Sequence, residues 1–141
     1  MKNRLLLFWL VHLLVLVTIT SGCGNAQSNL NAISMPPGFK ISIYASGIEG
    51  ARSLTLGDNG VVFVGSRSEG RVYALVDENG DGKKVEVLTV ASNLDTPNGV
   101  AYHKGSLYVA EISRILRYDN ILDNLNQPKA PVVVYDLLPK E

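Results

Sequence analysis

Hydrophobic and polar positions along this chain fall into three regimes. Leu5 to Ile19 is apolar except for His12 and Thr18, and it follows the cationic Lys2 and Arg4. Residues 24–34 (GNAQSNLNAIS) are small and polar. From Met35 onward, short apolar bursts alternate with Gly-rich polar stretches, and the bursts recur. Phe39-Lys-Ile-Ser-Ile-Tyr-Ala-Ser lies over Val85-Glu-Val-Leu-Thr-Val-Ala-Ser, and Leu54 lies over Val100, at a shift of 46 residues. With a one-residue slip, Gly60-Val-Val-Phe-Val lies over Gly105-Ser-Leu-Tyr-Val, and Pro131-Val-Val-Val-Tyr opens a third copy. A self-match at this period marks supersecondary units that stack on one another.

Within a unit the period is that of strands. Lys40–Ala45 alternates and is β-branched, Ser53–Leu56 is short and apolar, and Gly57-Asp-Asn-Gly60 supplies a turn. Val61–Val64 reads as a buried strand, Arg67–Gly70 as a turn, and Val72–Val76 as another alternating strand. Asp77–Gly82 then makes a hairpin before the Val85–Val90 strand, and we read that hairpin as lying between blades. Four short antiparallel strands per repeat, with no helical period, predict an all-β chain built as a β-propeller. The expected domains are a signal at 1–22, a tether at 23–35 and a partial propeller at 36–141. Its repeats run 39–84 and 85–130, with the first strand of a third from about 131. Propellers have about four to eight blades. Two blades leave strand edges bare, so the chain is expected to be a truncated, poorly soluble piece of a longer protein.

Composition changes this picture at one end only. Lys plus Arg and Asp plus Glu both number 13, so no basic field is available and nucleic acid is not an expected partner. A positive start, about 15 apolar residues and then small residues describe an export signal, whereas a bilayer-spanning helix needs about 20. Ser21-Gly22-Cys23 resembles a bacterial lipobox, with Thr20 where Leu is usual. The resemblance implies that Cys23 is acylated and becomes the first mature residue, held on a membrane by its lipid. Gly24 in the second place resembles the pattern of lipoproteins sent to an outer membrane in a Gram-negative host. The alternative is an ordinary signal with an incidental cysteine. Since Cys23 is the only cysteine, the mature domain can have neither an internal disulfide nor a thiolate metal site.

Few residues carry obvious chemistry. Asp77-x-Asn79-x-Asp81-Gly82 matches the first half of a calcium loop, but Leu88 stands where the bidentate carboxylate belongs, so a solvated turn is the better reading. His103, in Tyr-His-Lys-Gly between two strands, reads as a solvated turn residue, and His12 leaves with the signal. No nucleophile elbow, phosphate-cradling loop or HExxH pattern is present.

Longer motifs point to a family. Met35-Pro-Pro-Gly-Phe-Lys-Ile-Ser-Ile-Tyr-Ala, Gly50-Ala-Arg-Ser-Leu, Val62-Phe-Val-Gly-Ser and Gly70-Arg-Val-Tyr-Ala-Leu-Val-Asp-Glu-Asn-Gly-Asp-Gly-Lys follow one another in order. Leu94-Asp-Thr-Pro-Asn-Gly-Val-Ala-Tyr, Leu107-Tyr-Val-Ala-Glu and Arg114-Ile-Leu-Arg-Tyr continue the run. Over residues 33–139 the chain resembles the N-terminal part of the glucose/sorbosone dehydrogenase family. The resemblance implies a six-bladed propeller that binds pyrroloquinoline quinone (PQQ) with calcium and oxidises sugars, or small polyols and aldehydes, outside the cytoplasm. It also implies that the catalytic histidine follows a segment like Val132–Lys140, and that the quinone clamps and most of the calcium site come later. The chain alone is therefore expected to be inactive. Arg52 and Asn98, equivalent in the repeat, stand at the entrance to each innermost strand and are the two cofactor- or substrate-pocket candidates. The position of a glutamine near the quinone in sugar-oxidising relatives is here Pro97. The competing assignment makes Asn98-Gly99 turn chemistry and Arg52 a structural ion-pair partner. Two other functions stay open: a calcium-dependent gluconolactonase-type propeller, in which the Asn of Pro-Asn-Gly coordinates metal, and a non-catalytic surface propeller that binds a partner.

Overall fold

The computed structural model describes residues 30–139. The expected signal and the acylation candidate Cys23 lie outside them. The chain divides into two units, Met1–Ile41 and Ser42–Glu141. In the first, a 3-10 turn at Leu30–Ala32 and a turn closed by the Phe39 amide donating to the Pro36 carbonyl (3.2 Å) are the ordered features. Among the described residues no helix is long and apolar enough to cross a membrane.

The second unit is all-β and consists of two four-stranded antiparallel sheets. Sheet 1 runs in the order β1 (Ser53–Leu56), β2 (Val62–Gly65), β3 (Val72–Val76) and β4 (Glu86–Ala91). Sheet 2 repeats it as β5 (Gly99–His103), β6 (Ser106–Ala110), β7 (Ile115–Tyr118) and β8 (Val132–Tyr135). The period survives in three dimensions. Ser53 and Gly99 open the first strands, Glu86 and Val132 open the last, and both pairs are 46 apart. The register shifts at Val72/Tyr73 in one sheet and at Ile115/Leu116 in the other, the same place in each.

Turns explain why the strands stop where they do. Between β5 and β6 only Lys104 and Gly105 intervene, and both have positive φ (47° and 82°), which the tight hairpin of type I′ requires. His103 flanks that turn and is exposed. Between β1 and β2, Asn59 and Gly60 take the positive φ angles (57° and 77°), and the Gly57 amide donates to the Val61 carbonyl at 2.7 Å.

Three strand assignments from the sequence are corrected. Val85–Val90 does not begin a second blade: β4 pairs with β3 and completes sheet 1. The segment from Pro131 is likewise not the first strand of a third blade, because β8 pairs with β7. The Asp77–Gly82 hairpin therefore lies within sheet 1, joining β3 to β4, and not between blades. Lys40–Ala45, the same repeat position, is in no strand, because among the described residues no strand pairs with it. Alternation creates a strand only where a neighbour takes up its amides and carbonyls.

The core lies between the sheets. Phe63, Val72, Ala74 and Val90 of sheet 1 meet Leu107, Val109, Leu116 and Tyr118 of sheet 2, and Ile121 from the β7–β8 connection closes the cluster. Phe63 and Tyr102 stack with ring centroids 5.9 Å apart. The first strands of the two sheets are also pinned by polar bonds. The Ser53 hydroxyl donates to the Asn98 carbonyl, and the Tyr102 amide donates to Thr55 Oγ1 at 3.2 Å. On the far face of sheet 1, Val64, Tyr73 and Leu75 are buried under Ala45 and Ile48.

Candidate functional site

The two sheets present the same rim, formed by the starts of β1 and β5 and the ends of β2 and β6, and both sequence candidates stand on it. Arg52 and Asn98 are exposed, each one residue ahead of a first strand. The neighbour of Arg52, Ser53, bonds to the Asn98 carbonyl, so the structure brings the two positions together. The Arg52 amide donates to the Gly65 carbonyl at 2.9 Å, and among the described residues its guanidinium forms no ion pair.

The loop that carries Asn98 is strained and firmly held. Thr96 has φ 51°, a left-handed conformation that crowds a β-branched side chain and costs about 1–3 kcal/mol. The Asn98 amide then donates back to the Thr96 carbonyl at 2.7 Å, a three-residue turn around the buried Pro97. Contacts on both sides maintain this shape. The Leu94 amide donates to the Gly70 carbonyl (3.0 Å), and the Ile112 amide to the Asp95 carbonyl (3.2 Å). Glu111 supplies the third hold. Its carboxylate, buried at 5% exposure, accepts from the Asp95 amide at 2.6 Å and from the Arg114 guanidinium. That bond and the charge of Glu111 raise the Arg114 pKa above its ordinary value. Tyr118 is also pushed up, first by burial and then by the Glu111 charge.

Gly65 permits the approach. A Cβ there would lie 2.6 Å from the Pro97 carbonyl oxygen and 2.8 Å from that of Asn98. No side chain fits between this strand end and the loop. Sequence reading did not single out Gly65, Glu111 or Arg114. The glycine sits inside an ordinary strand motif, and Glu111 follows a strand as many solvated residues do.

The remaining candidates lie at the opposite rim. Asp77 accepts from the Gly80 amide (3.1 Å) and the Gly82 amide (2.8 Å) with its two carboxylate oxygens. Asp81 is bonded to the Lys83 amide (2.9 Å) and ammonium (3.1 Å). These bonds describe a turn that closes on itself. Near His103, Tyr102 donates its hydroxyl to Asp58 (2.8 Å), and its pKa is raised by burial and by that bond. Asp119 accepts from Ser106 (3.1 Å) and pairs with Arg117 (2.6 Å), and the Arg117 bond holds its pKa below the ordinary value. Among the described residues no three His, Cys, Asp or Glu side chains come together as a metal site.

Chemically, the first rim offers a free guanidinium and an exposed amide on a rigid backbone. That arrangement can bind an anionic or hydroxyl-rich molecule. It lacks a placed base: Glu111 is committed to Asp95 and Arg114.

The chain matches no protein-family profile and no solved structure. It is 26% identical over 128 residues to a protein of Borreliella burgdorferi described only as uncharacterized. The alignment covers 90% of this chain and 32% of that protein, so the chain spans about a third of its relative's length.

Proposed function

We propose that the chain is the N-terminal portion of an exported, lipid-anchored, PQQ-dependent sugar or aldose dehydrogenase of the sorbosone type, built as a β-propeller. The carrying observation is that the ordered family motifs from Gly50 onward fall on two equivalent sheets, with Arg52 and Asn98 on one shared rim. Repetition at 46 residues and the side-by-side first strands support a propeller, in which each blade turns its first strand toward the axis. A relative about three times as long is consistent with further blades.

When bound, the quinone would accept hydride from the substrate. The residues present do not fit a complete quinone or calcium site, since one guanidinium and one amide cannot hold the quinone's three carboxylates and a metal. This chain's share is the address and part of the rim: Arg52 to meet an anionic group, Asn98 to meet a hydroxyl or carbonyl, and the Glu111-held loop to keep Asn98 in place.

The test begins downstream of the Glu141 codon. Continuation, in phase or frameshifted, into a His-containing strand and a Gly-Pro-Asp-Gly-like turn supports the proposal; its absence removes the main support. The full-length protein, given PQQ and calcium, is then expected to reduce a dye with aldose and not to hydrolyse lactones. Lactone hydrolysis instead would identify the gluconolactonase-type function, and neither activity would leave the binding propeller. For the anchor, labelled palmitate is expected to enter the chain, and Cys23→Ala to abolish its incorporation.

A further inference from the structure

The segment that leads into sheet 1 repeats the one that leads into sheet 2. At a shift of 46 residues, Tyr44, Ala45 and Ile48 correspond to Val90, Ala91 and Leu94. The later three belong to the core between the sheets: Val90 is buried in it, and Ala91 and Leu94 pack against it. Sheet 2 enters that core with Leu107, Val109, Leu116 and Tyr118. By register, the equivalents in sheet 1 are Val62, Val64, Tyr73 and Leu75, which lie on its outer face.

Ala45 and Ile48 rest on that outer face, against Val64, Tyr73 and Leu75. The likeness extends to the next turn. A Cβ at Gly82, in the β3–β4 hairpin, would lie 3.6 Å from the Tyr44 ring, and Val90 shares its cluster with Ile121 of the β7–β8 connection. Tyr44–Ile48 thus meets sheet 1 as Val90–Leu94 meets sheet 2. One thing differs. Glu86–Ala91 is the fourth strand of the sheet beside sheet 2, laddered to β3. Lys40–Ala45 has the same alternation and repeat position but, among the described residues, no ladder. Leu54 and Leu56 are 64% and 67% exposed, whereas their equivalents Val100 and Tyr102 are partly covered by sheet 1. Unpaired amides beside bare leucines are what one neighbouring sheet would take up together.

We propose that Lys40–Ala45 is the fourth strand of a further sheet whose first three strands come from the far end of the same polypeptide, so that its ladder closes the ring. The inference rests on the propeller and the longer polypeptide proposed above, and not on the quinone chemistry. Two observations decide the partner. Within this chain the third strands are already taken, β3 by β4 and β7 by β8, so neither can receive the segment. A relative about three times as long has room for further sheets. When sheets follow one another around a ring, the one beside the outer face of sheet 1 is the last in chain order. Its partner strands therefore lie one repeat or less from the end of the polypeptide. Adding an extended segment to an open sheet edge makes a run of main-chain hydrogen bonds. The same sheet would lie over Leu54 and Leu56 as sheet 1 lies over Val100 and Tyr102.

The test uses the full-length protein. Hydrogen exchange over residues 40–45 is expected to be slowed at least about a hundredfold relative to residues 33–38, approaching that of Glu86–Ala91. A benzophenone-bearing residue in place of Ile43, which is 46% exposed, is then irradiated and its attachment point located by mass spectrometry. Attachment within about 50 residues of the C-terminus of the same polypeptide, roughly one repeat, is expected. Exchange over 40–45 as fast as over 33–38 overturns the proposal. So does attachment only within residues 53–141, or only between two polypeptides, or a protein in the cell with the mass of this chain alone. No quinone, calcium or substrate enters either measurement. Closure in a protein without dehydrogenase activity would therefore sustain this inference while refuting the enzymatic one.

Discussion

Sheets 1 and 2 turn the same corner with different chemistry. After β2, the Ser66 amide donates to the Arg71 carbonyl (3.1 Å), and after β6 the Glu111 amide donates to the Arg114 carbonyl (2.9 Å). In sheet 1 the fully buried Ser66 hydroxyl closes the turn locally, donating to the Arg71 carbonyl (2.7 Å) and accepting from its amide (2.9 Å). In sheet 2 a buried carboxylate takes that place and reaches outside its own turn, to Asp95. The difference follows from what each corner must do. The corner of sheet 1 has to make room for the loop 94–98, hence Gly65 and the compact serine. The corner of sheet 2 has to hold that loop, hence a longer, charged acceptor. A repeat sets the path of the backbone, and its side chains then specialise by neighbour.

Gly65→Ala is the most severe way to break this comparison. Its methyl would meet two carbonyl oxygens below 3.0 Å, and the loss of stability by urea unfolding should be about 2–3 kcal/mol. The matching change in sheet 2, Ala110→Gly, should cost only about 0.5–1 kcal/mol, the usual penalty of glycine in a strand. Equal losses would show that the loop does not depend on this approach.

Next in size, Glu111→Ala leaves the Asp95 amide without its carboxylate and should cost about 2 kcal/mol. Hydrogen exchange at the Asp95 amide should accelerate. Ser66→Ala removes two bonds within one turn and should cost about 1 kcal/mol without altering exchange at Asp95. If both substitutions release Asp95 alike, the division of labour proposed for the two corners is wrong.

The smallest effect concerns pH. Asp119 in sheet 2 has its pKa lowered by Arg117, so it binds its proton later in the folded chain than in the unfolded one. Its contribution is present above the ordinary carboxylate range and is lost as pH falls through the lowered folded value. Asp119→Asn should remove that part of the acid dependence and leave the alkaline side unchanged, as read from melting temperature against pH. The pair is solvent-exposed, so the effect is modest.

Legibility in the sequence differed from one part of the molecule to another. The strands β1, β2 and β3 and the turns at Gly57–Gly60 and Asp77–Gly82 could be read from alternation and from residues that tolerate positive φ, because both signals are local. Arg52 and Asn98 could be found as a pair because repetition makes equivalent positions visible. Glu111 could not, since nothing in Leu-Tyr-Val-Ala-Glu tells a carboxylate facing solvent from one turned onto an amide sixteen residues earlier. Gly65 was hidden for a similar reason. A strand glycine acquires meaning only when another backbone comes within 3 Å of the missing Cβ.

The residue order therefore settles the period, the strand character and the places where the chain turns, all of which are properties of a short window. It does not settle where one sheet ends and the next begins. A 46-residue repeat looks the same whichever strand is counted first, and only the ladder from β3 to β4, and again from β7 to β8, assigns Glu86–Ala91 and Val132–Tyr135 to the sheets they complete. Lys40–Ala45 has the same alternation and no ladder. A strand is a relation between two segments, and one segment read alone holds only half of it.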